Sequence, residues 1–509
     1  MKKIIYSAAL SAILIATAGC SKKDLDLFPY NTVATEQAFK TQTDVTYDLN
    51  GMYAGLKTSG SYYVSGTWNI LADVLADNLV LGQQGRKSLQ SPYYGYSYSS
   101  ASTSGLFTGG YTIVRRANAI LENIGSFPDG TFKNDAMGQA YALRAMVYFD
   151  MSRVFSKTYL NATAADFTLP YVTTTAATNL PASEPLLGFY DKVIADLVKA
   201  EGLINTSATN ANGNITLNRE AVAGLLSRVY LYKGDYANCI LEANKALGTT
   251  PNLPNIATFP SIWTDATTSG VLFKVKNTTI DNINTQGVNY YQFTSRPNPT
   301  STTNGYKDEY VPDYTFYQMF DATDVRKTTY FQTNYYNNTL YNNIIKYAGR
   351  SGPPELGIGV PNPNASANPA GVVDGKVIRT AEVILNRMEA EYRTGAIPAA
   401  VADLILLKTN RYNGYVSTVD AALTGAPLLA EILKQRRLEL AFEGDRFFDL
   451  KRLNLPSQRD AVHGDNANGT GVAPAATIAT LPAGDYRFQL PYPQSEIVFN
   501  PGLKQNPGY

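Results

Sequence analysis

The stretch from Pro427 to Asn454, PLLAEILKQRRLELAFEGDRFFDLKRLN, constrains the fold of this chain more than any other. Proline at the first helical position lacks only an N–H that would have no partner there, so Gly425-Ala426-Pro427 predicts a helix start. Ile432, Leu433, Leu440 and Ala441 recur at helical spacing and predict one apolar face. Gly444 should break or bend this helix, and Asp445 is placed to cap a second, short one carrying Phe447, Phe448, Leu450 and Leu453. Arg436, Arg437, Glu439, Glu443, Asp445, Arg446, Asp449, Lys451 and Arg452 run through the same segment. Carboxylates and guanidinium groups three or four residues apart suit ion-pair networks that pin two helices together. Each acid has a nearby arginine that holds it ionised, which predicts a structural network rather than paired catalytic acids.

Within it, RRLELAFEGDRFFDLKRLN resembles the C-terminal signature of the SusD/RagB family, surface lipoproteins that capture nutrients in Bacteroidetes. LPYPQSEIVFNPGLKQNPGY, from Leu490 to Tyr509, is similar to the family's closing segment. ALRAMVYFDMSRVFS (Ala142 to Ser156) and YTIVRRANAIL (Tyr111 to Leu121) look like two helices of its first half, with Phe107 where a tryptophan is frequent. MFDATDVRKTTYF (Met319 to Phe331) resembles a further block. The resemblance implies a mostly α-helical fold, with four tetratricopeptide-like helix pairs on one side and a loop-rich binding region on the other. It also implies a partner, a SusC-like TonB-dependent outer-membrane transporter over which the lipoprotein sits like a lid. Typical ligands are glycans, bound without cofactor, metal or catalytic residue. Their contact residues are poorly shared within the family, so none is carried over by motif.

Composition agrees with an exported chain. Of 509 residues, 44% are hydrophobic but only 17% charged, below the roughly 25% usual in soluble domains. Tyrosine (36 residues), Asn, Thr and Ser make up the difference, giving a surface wetted by neutral groups. A formal charge of +1 builds no footprint for nucleic acid. Two cysteines and one histidine exclude a Cys/His metal cluster, and His463 sits in a Gly/Asn-rich loop where solvation is expected.

Met1 to Cys20 has a basic start, Lys2-Lys3, and an apolar run from Ile4 to Ala18. That run is shorter than the about 20 residues of a membrane-spanning helix and fits a secretory signal over residues 1–19. It ends Thr17-Ala18-Gly19-Cys20, like a bacterial lipobox, which predicts an acylated Cys20 anchoring a tether over 20–34 in the outer membrane at the cell surface. Ordinary secretion with a free thiol is the alternative. Cys239 lies in a helical pattern and is expected to be a small buried apolar residue.

Residues 35–248 read as a helical region. Tyr111–Ile124 and Asn134–Phe155 form a hairpin pattern, and REAVAGLLSRVYLYKGDYANCILEANKAL (Arg219 to Leu247) alternates small and large residues across a Gly-Asp turn, as in a tetratricopeptide-like pair. Arg379 to Asn410 repeats the plan within the last region, 375–509, which is expected to pack back on the scaffold. Unequal spacing predicts one irregular superhelical scaffold. The stretch 249–374 is a loop-rich insertion with a strand at Val271–Val275, and a loop region so long is usually functional or disordered.

Sugars lay C–H faces on aromatic rings and need amide or guanidinium partners for their hydroxyls. Two loops offer both. SPYYGYSYSS (Ser91 to Ser100) brings Tyr93, Tyr94, Tyr96 and Tyr98; Asn289 to Tyr310 brings Tyr290, Tyr291, Gln292, Arg296, Asn304 and Tyr306. Trp263 is a third candidate, and packing of these rings against the helices is the alternative for each. An oligosaccharide or polysaccharide is the expected ligand, with peptide as another. A glycoside hydrolase would need two carboxylates roughly 5–10 Å apart; Asp73 and Asp77 lie one helical turn apart, but a solvated helix face is the commoner reason for such a pair. A helical scaffold used only for protein contacts is the third reading, and it gives no reason to expose aromatic loops.

Overall fold

The computed structural model describes residues 38–57, 67–82, 91–101, 104–176, 180–205, 213–278, 309–347 and 373–509. Cys20 and its leader lie outside the described residues, as do Tyr290, Tyr291, Arg296, Asn304 and Tyr306. The chain divides into two units, residues 1–48 and 49–509. In the first, the Thr41 N–H donates to the Asp44 carboxylate at 2.7 Å and the Asp44 N–H to the Thr41 hydroxyl at 3.2 Å. That reciprocal cap opens helix α1 (Gln42–Ala54).

Helices dominate the second unit. Those of seven residues or more among the described residues are α2 (Thr67–Val74), α3 (Ser104–Asn123), α4 (Thr131–Phe155), α5 (Leu186–Leu203) and α6 (Arg219–Lys233). They continue as α7 (Tyr236–Leu247), α8 (Thr380–Arg393), α9 (Ile397–Thr409), α10 (Gly425–Glu439) and α11 (Arg446–Arg452). From α3 to α9 each helix packs on the next, and α10 packs on α8. The fold is therefore the mostly α-helical scaffold that the sequence predicts. None of the described helices is long and apolar enough to cross a membrane.

The α6–α7 pair shows how sequence writes such a unit. The Asn218 side chain accepts from the Ala221 N–H at 2.8 Å and starts α6. Gly234, at φ 77°, ends it in the left-handed conformation that a side chain disfavours. Asp235 then accepts from the Asn238 N–H and starts α7. Cys239 is wholly buried on α7, its thiol pointing to the Asn386 carbonyl at 3.5 Å.

The two C-terminal signature segments converge on the end of α4, whose last carbonyls have no partner within the helix. Lys451 Nζ donates to the Arg153 and Ser156 carbonyls, the Leu490 N–H to Val154 at 3.0 Å, and Asn506 Nδ2 to Phe155 at 2.6 Å. Tyr492 stacks on Phe155 at 5.4 Å, and Phe107 meets Tyr492 edge-on at 6.0 Å. Helix α10 stops at Glu439 because Phe442 (φ 64°) and Gly444 (φ 83°) reverse the chain. One expectation is corrected: Asp445 precedes α11 but does not cap it, because its carboxylate turns to Arg153 at 3.3 Å.

Strands are short. β1 (Leu79–Leu81) pairs antiparallel with β3 (Tyr310–Pro312), and the expected β2 (Val271–Val275) pairs with β6 (Gly375–Arg379). Between them β4 (Phe331–Tyr336) and β5 (Thr339–Ile344) form a hairpin that the sequence pattern does not announce. Its turn places Asn337 and Asn338 at φ 46° and 62°, the left-handed pair that tight hairpins require.

Candidate functional site

The β1–β3 ladder gathers the elements around the predicted binding loops. Leu81 lies opposite Tyr310, and the Gly82 N–H donates to the Glu309 carbonyl at 2.8 Å. The Tyr94 ring packs 6.0 Å from that of Tyr310, so the 91–101 turn lies against the same ladder. Val80, Val311 and Tyr341 form a small apolar cluster beneath it, with Tyr336 packed alongside and Tyr335 of the hairpin 41% exposed. The 460–472 loop closes over the hairpin, Ala467 N–H donating to the Leu340 carbonyl at 2.8 Å. In that loop His463 Nδ1 lies 2.6 Å from Asp460 and the imidazole rests on the Tyr314 ring at 4.6 Å. Tyr314, Tyr335, Tyr336 and His463 present exposed or half-buried rings beside this ladder and hairpin.

Tyr93, Tyr94 and Tyr96 are not exposed platforms, which corrects the expectation for them: each is only 5% accessible. For Tyr94 and Tyr96 the reason is Arg459. Its guanidinium lies 4.0 Å over the Tyr94 ring and 4.7 Å over Tyr96. It donates to the Val74 and Ala76 carbonyls at 2.7 and 3.1 Å, at and just past the end of α2, while the Tyr96 hydroxyl donates to the Leu75 carbonyl at 3.1 Å. These rings close a helix terminus. Tyr93 packs on Tyr98 at 5.5 Å, and burial pushes its phenol up to about 12. Trp263 is likewise interior, with the Lys346 ammonium 4.1 Å and the Arg379 guanidinium 5.2 Å from its ring.

Asp73 and Asp77 do not share a solvated face. Asp73 is fully buried and accepts from the Gly444 N–H at 3.1 Å. Asp77 lies beyond the end of α2, gripped by Arg446 at 2.7 and 2.8 Å. Burial opposes its ionisation, but Arg437 and Arg446 prevail and hold the carboxyl at about 2. Both acids are buried.

The ion network expected around Gly444 is interior and reaches far beyond its own segment. Glu389 of α8 takes Arg452 at 2.8 and 2.6 Å, and Asp449 takes Arg436 at 2.7 Å and Arg452 at 2.8 Å. Glu443 takes Arg379 and Lys346, each at 2.7 Å. The network fixes α10 and α11 on the scaffold and so fixes the start of the 460–472 loop.

A family profile described as SusD family matches residues 263–509, and one described as starch-binding associating with outer membrane matches residues 25–231. The chain belongs to the SusD family. Among SusD-family relatives, SusD-like protein P2 of Formosa agariphila is 26% identical over 539 residues, covering both chains in full. A crystal structure from Bacteroides vulgatus, provisionally assigned as a sugar binding protein, superposes with TM-score 0.75 at 26% identity, covering 93% of this chain and 99% of its own. A SusD superfamily protein from Bacteroides thetaiotaomicron gives 0.75 at 23% identity over 92% of this chain and 100% of that one.

Proposed function

We propose that this SusD-family chain is a cell-surface glycan-binding lipoprotein. It captures oligosaccharides at the outer membrane and passes them, uncleaved, to a TonB-dependent transporter. The observation that supports the reading is the Tyr94 ring against Tyr310, beside the Gly82–Glu309 hydrogen bond, because it brings the 91–101 turn next to the residue with which the second predicted loop ends. The description of the family as starch-binding and the sugar-binding assignment of the Bacteroides vulgatus relative support a carbohydrate as ligand. On this reading Tyr290, Tyr291 and Tyr306 stack on sugar rings, while Arg296 and Asn304 bind hydroxyls; Tyr93, Tyr94 and Tyr96 support the loop from below. Two or three stacked rings with a few hydrogen bonds give micromolar to millimolar affinity, about −4 to −8 kcal/mol. Such weakness suits a protein that must release its cargo. Cys20 supplies the lipid anchor.

Native gel electrophoresis through embedded polysaccharides tests the reading. One polysaccharide should retard the protein, and the same glycan incubated with it should keep its length on chromatography. Shortened product would favour a hydrolase, and equal mobility through every glycan would exclude glycan capture.

A further inference from the structure

We propose a second glycan-binding site, for a short stretch of neutral oligosaccharide, in the cleft between the Arg411–Asp420 turn and the 318–323 turn. It rests on the glycan reading above but uses different residues, on the helical scaffold rather than on the β1–β3 ladder. The cleft holds about 470 Å³, within the roughly 300–1,000 Å³ of small-ligand sites.

Its chemistry is amphipathic in the way a sugar ring is. Tyr412 and Tyr415 are half-buried, their ring centres 6.4 Å apart and inclined by 37°. Beside them Val416 and Val419 stand 71% and 74% exposed. Two β-branched apolar side chains held in water next to two rings make a surface that a ligand's C–H face would cover. The exposed amides of Gln318 and Asn413 line the same cleft and offer both donors and acceptors to hydroxyls.

Lys408 and Lys434 each face a carboxylate, which favours a neutral ligand over an anionic one. Lys408 lies 2.7 Å from Asp420 and 3.0 Å from Glu431, and Lys434 lies 3.7 Å from Glu431. The Asp321 carboxylate accepts from the Thr323 N–H and hydroxyl, both at 2.8 Å.

The frame is also built in advance. Asn413 N–H donates to the Thr323 carbonyl and Val325 N–H to the Arg411 carbonyl, each at 2.9 Å, tying the two turns together. The Tyr412 hydroxyl accepts from Arg326 at 3.0 Å and Gln435 at 2.9 Å, and the Tyr415 hydroxyl donates to Asp420. A site whose rings are already fixed loses little freedom on binding. Two weak sites on one anchored chain would strengthen capture of a polymer that reaches both.

Calorimetry of the full chain against maltoheptaose, cellohexaose, xylohexaose, laminarihexaose and mannohexaose tests this. Whichever sugar binds should fill about two sites per wild-type chain. It should fill about one in Tyr415→Ala and in Val419→Asp, and about two again in Tyr415→Phe, which keeps the ring. Hydrogen exchange of residues 411–423 should slow at least severalfold with that sugar present. Should Tyr415→Ala unfold, Val419→Asp decides, since that side chain packs on little. Binding abolished by Tyr291→Ala, unchanged by both cleft variants and without protection of 411–423, would overturn the cleft and leave the loop site standing. No binding of any sugar to wild type would overturn both.

Discussion

Arg411 and Glu439 meet in a two-pronged ion pair, Nε to Oε2 at 2.8 Å and Nη2 to Oε1 at 3.0 Å, with neither side chain reached by solvent. Arg379 and Arg326 approach the same carboxylate at 3.0 and 3.4 Å. One acid from α10 thus collects three guanidinium groups from the N-terminus of α8, the end of α9 and the insertion. Removing it strands buried cations, and breaking such pairs costs about 3–5 kcal/mol. Glu439→Gln should lower the urea midpoint accordingly while glycan affinity of the folded fraction stays unchanged. A loss below about 1 kcal/mol would show the network to be dispensable.

Acid should undo the same network in a defined window. Burial opposes ionisation of Glu439, but Arg411 and Arg379 outweigh it and hold its carboxyl well below the usual range; Asp77 and Asp449 are held at about 2 in the same way. As pH falls, the unfolded chain takes up these protons first, near pH 4. The stability these acids contribute is therefore complete above about 4 and is lost towards 2, up to about 2 kcal/mol for each. Asp445 works oppositely: burial and Glu382 push it up to about 6, so it favours the folded state as pH falls from 6 to 4. Urea midpoints should hold or rise slightly from pH 6 to 4 and drop steeply below. A steady fall beginning at pH 6 would contradict this assignment.

Tyr96→Phe separates structure from binding. The variant loses the bonds to the Leu75 carbonyl and Ser457 at 3.1 Å and should cost about 1 kcal/mol in thermal or urea unfolding. Glycan affinity should not move. A tenfold weaker affinity at unchanged melting temperature would return Tyr96 to the ligand surface.

Cys20→Ser should leave an unprocessed precursor or release the protein from membranes. Mass spectrometry of the wild-type N-terminus should find acylated Cys20; an unmodified terminus with unchanged membrane fractionation would refute the anchor.

Much of the scaffold was legible because helix signals are local. Asn218, Gly234 and Asp235 write α6 and α7 within a few residues of their effect, and the acids and arginines of 436–452 announce an ion network. Where the network leads was not legible: Glu389, Arg379 and Arg411 join it by tertiary packing that spacing does not encode. Tyr94 and Tyr96 read as exposed because the cation that covers them, Arg459, comes from the far end of the chain. The hairpin at 331–344 escaped because its turn is Asn-Asn within a run of Asn, Thr and Tyr, where the two-residue alternation of a strand is faint.

Glycan binding by the Asn289–Tyr310 loop is the point on which the proposed function stands. Calorimetry of Tyr291→Ala against wild type, with the polysaccharide that retards the protein most, tests it most directly. The account predicts that the variant keeps its melting temperature and binds at least tenfold more weakly at the loop site, while Tyr96→Phe binds like wild type. Equal binding by Tyr291→Ala and wild type would contradict it.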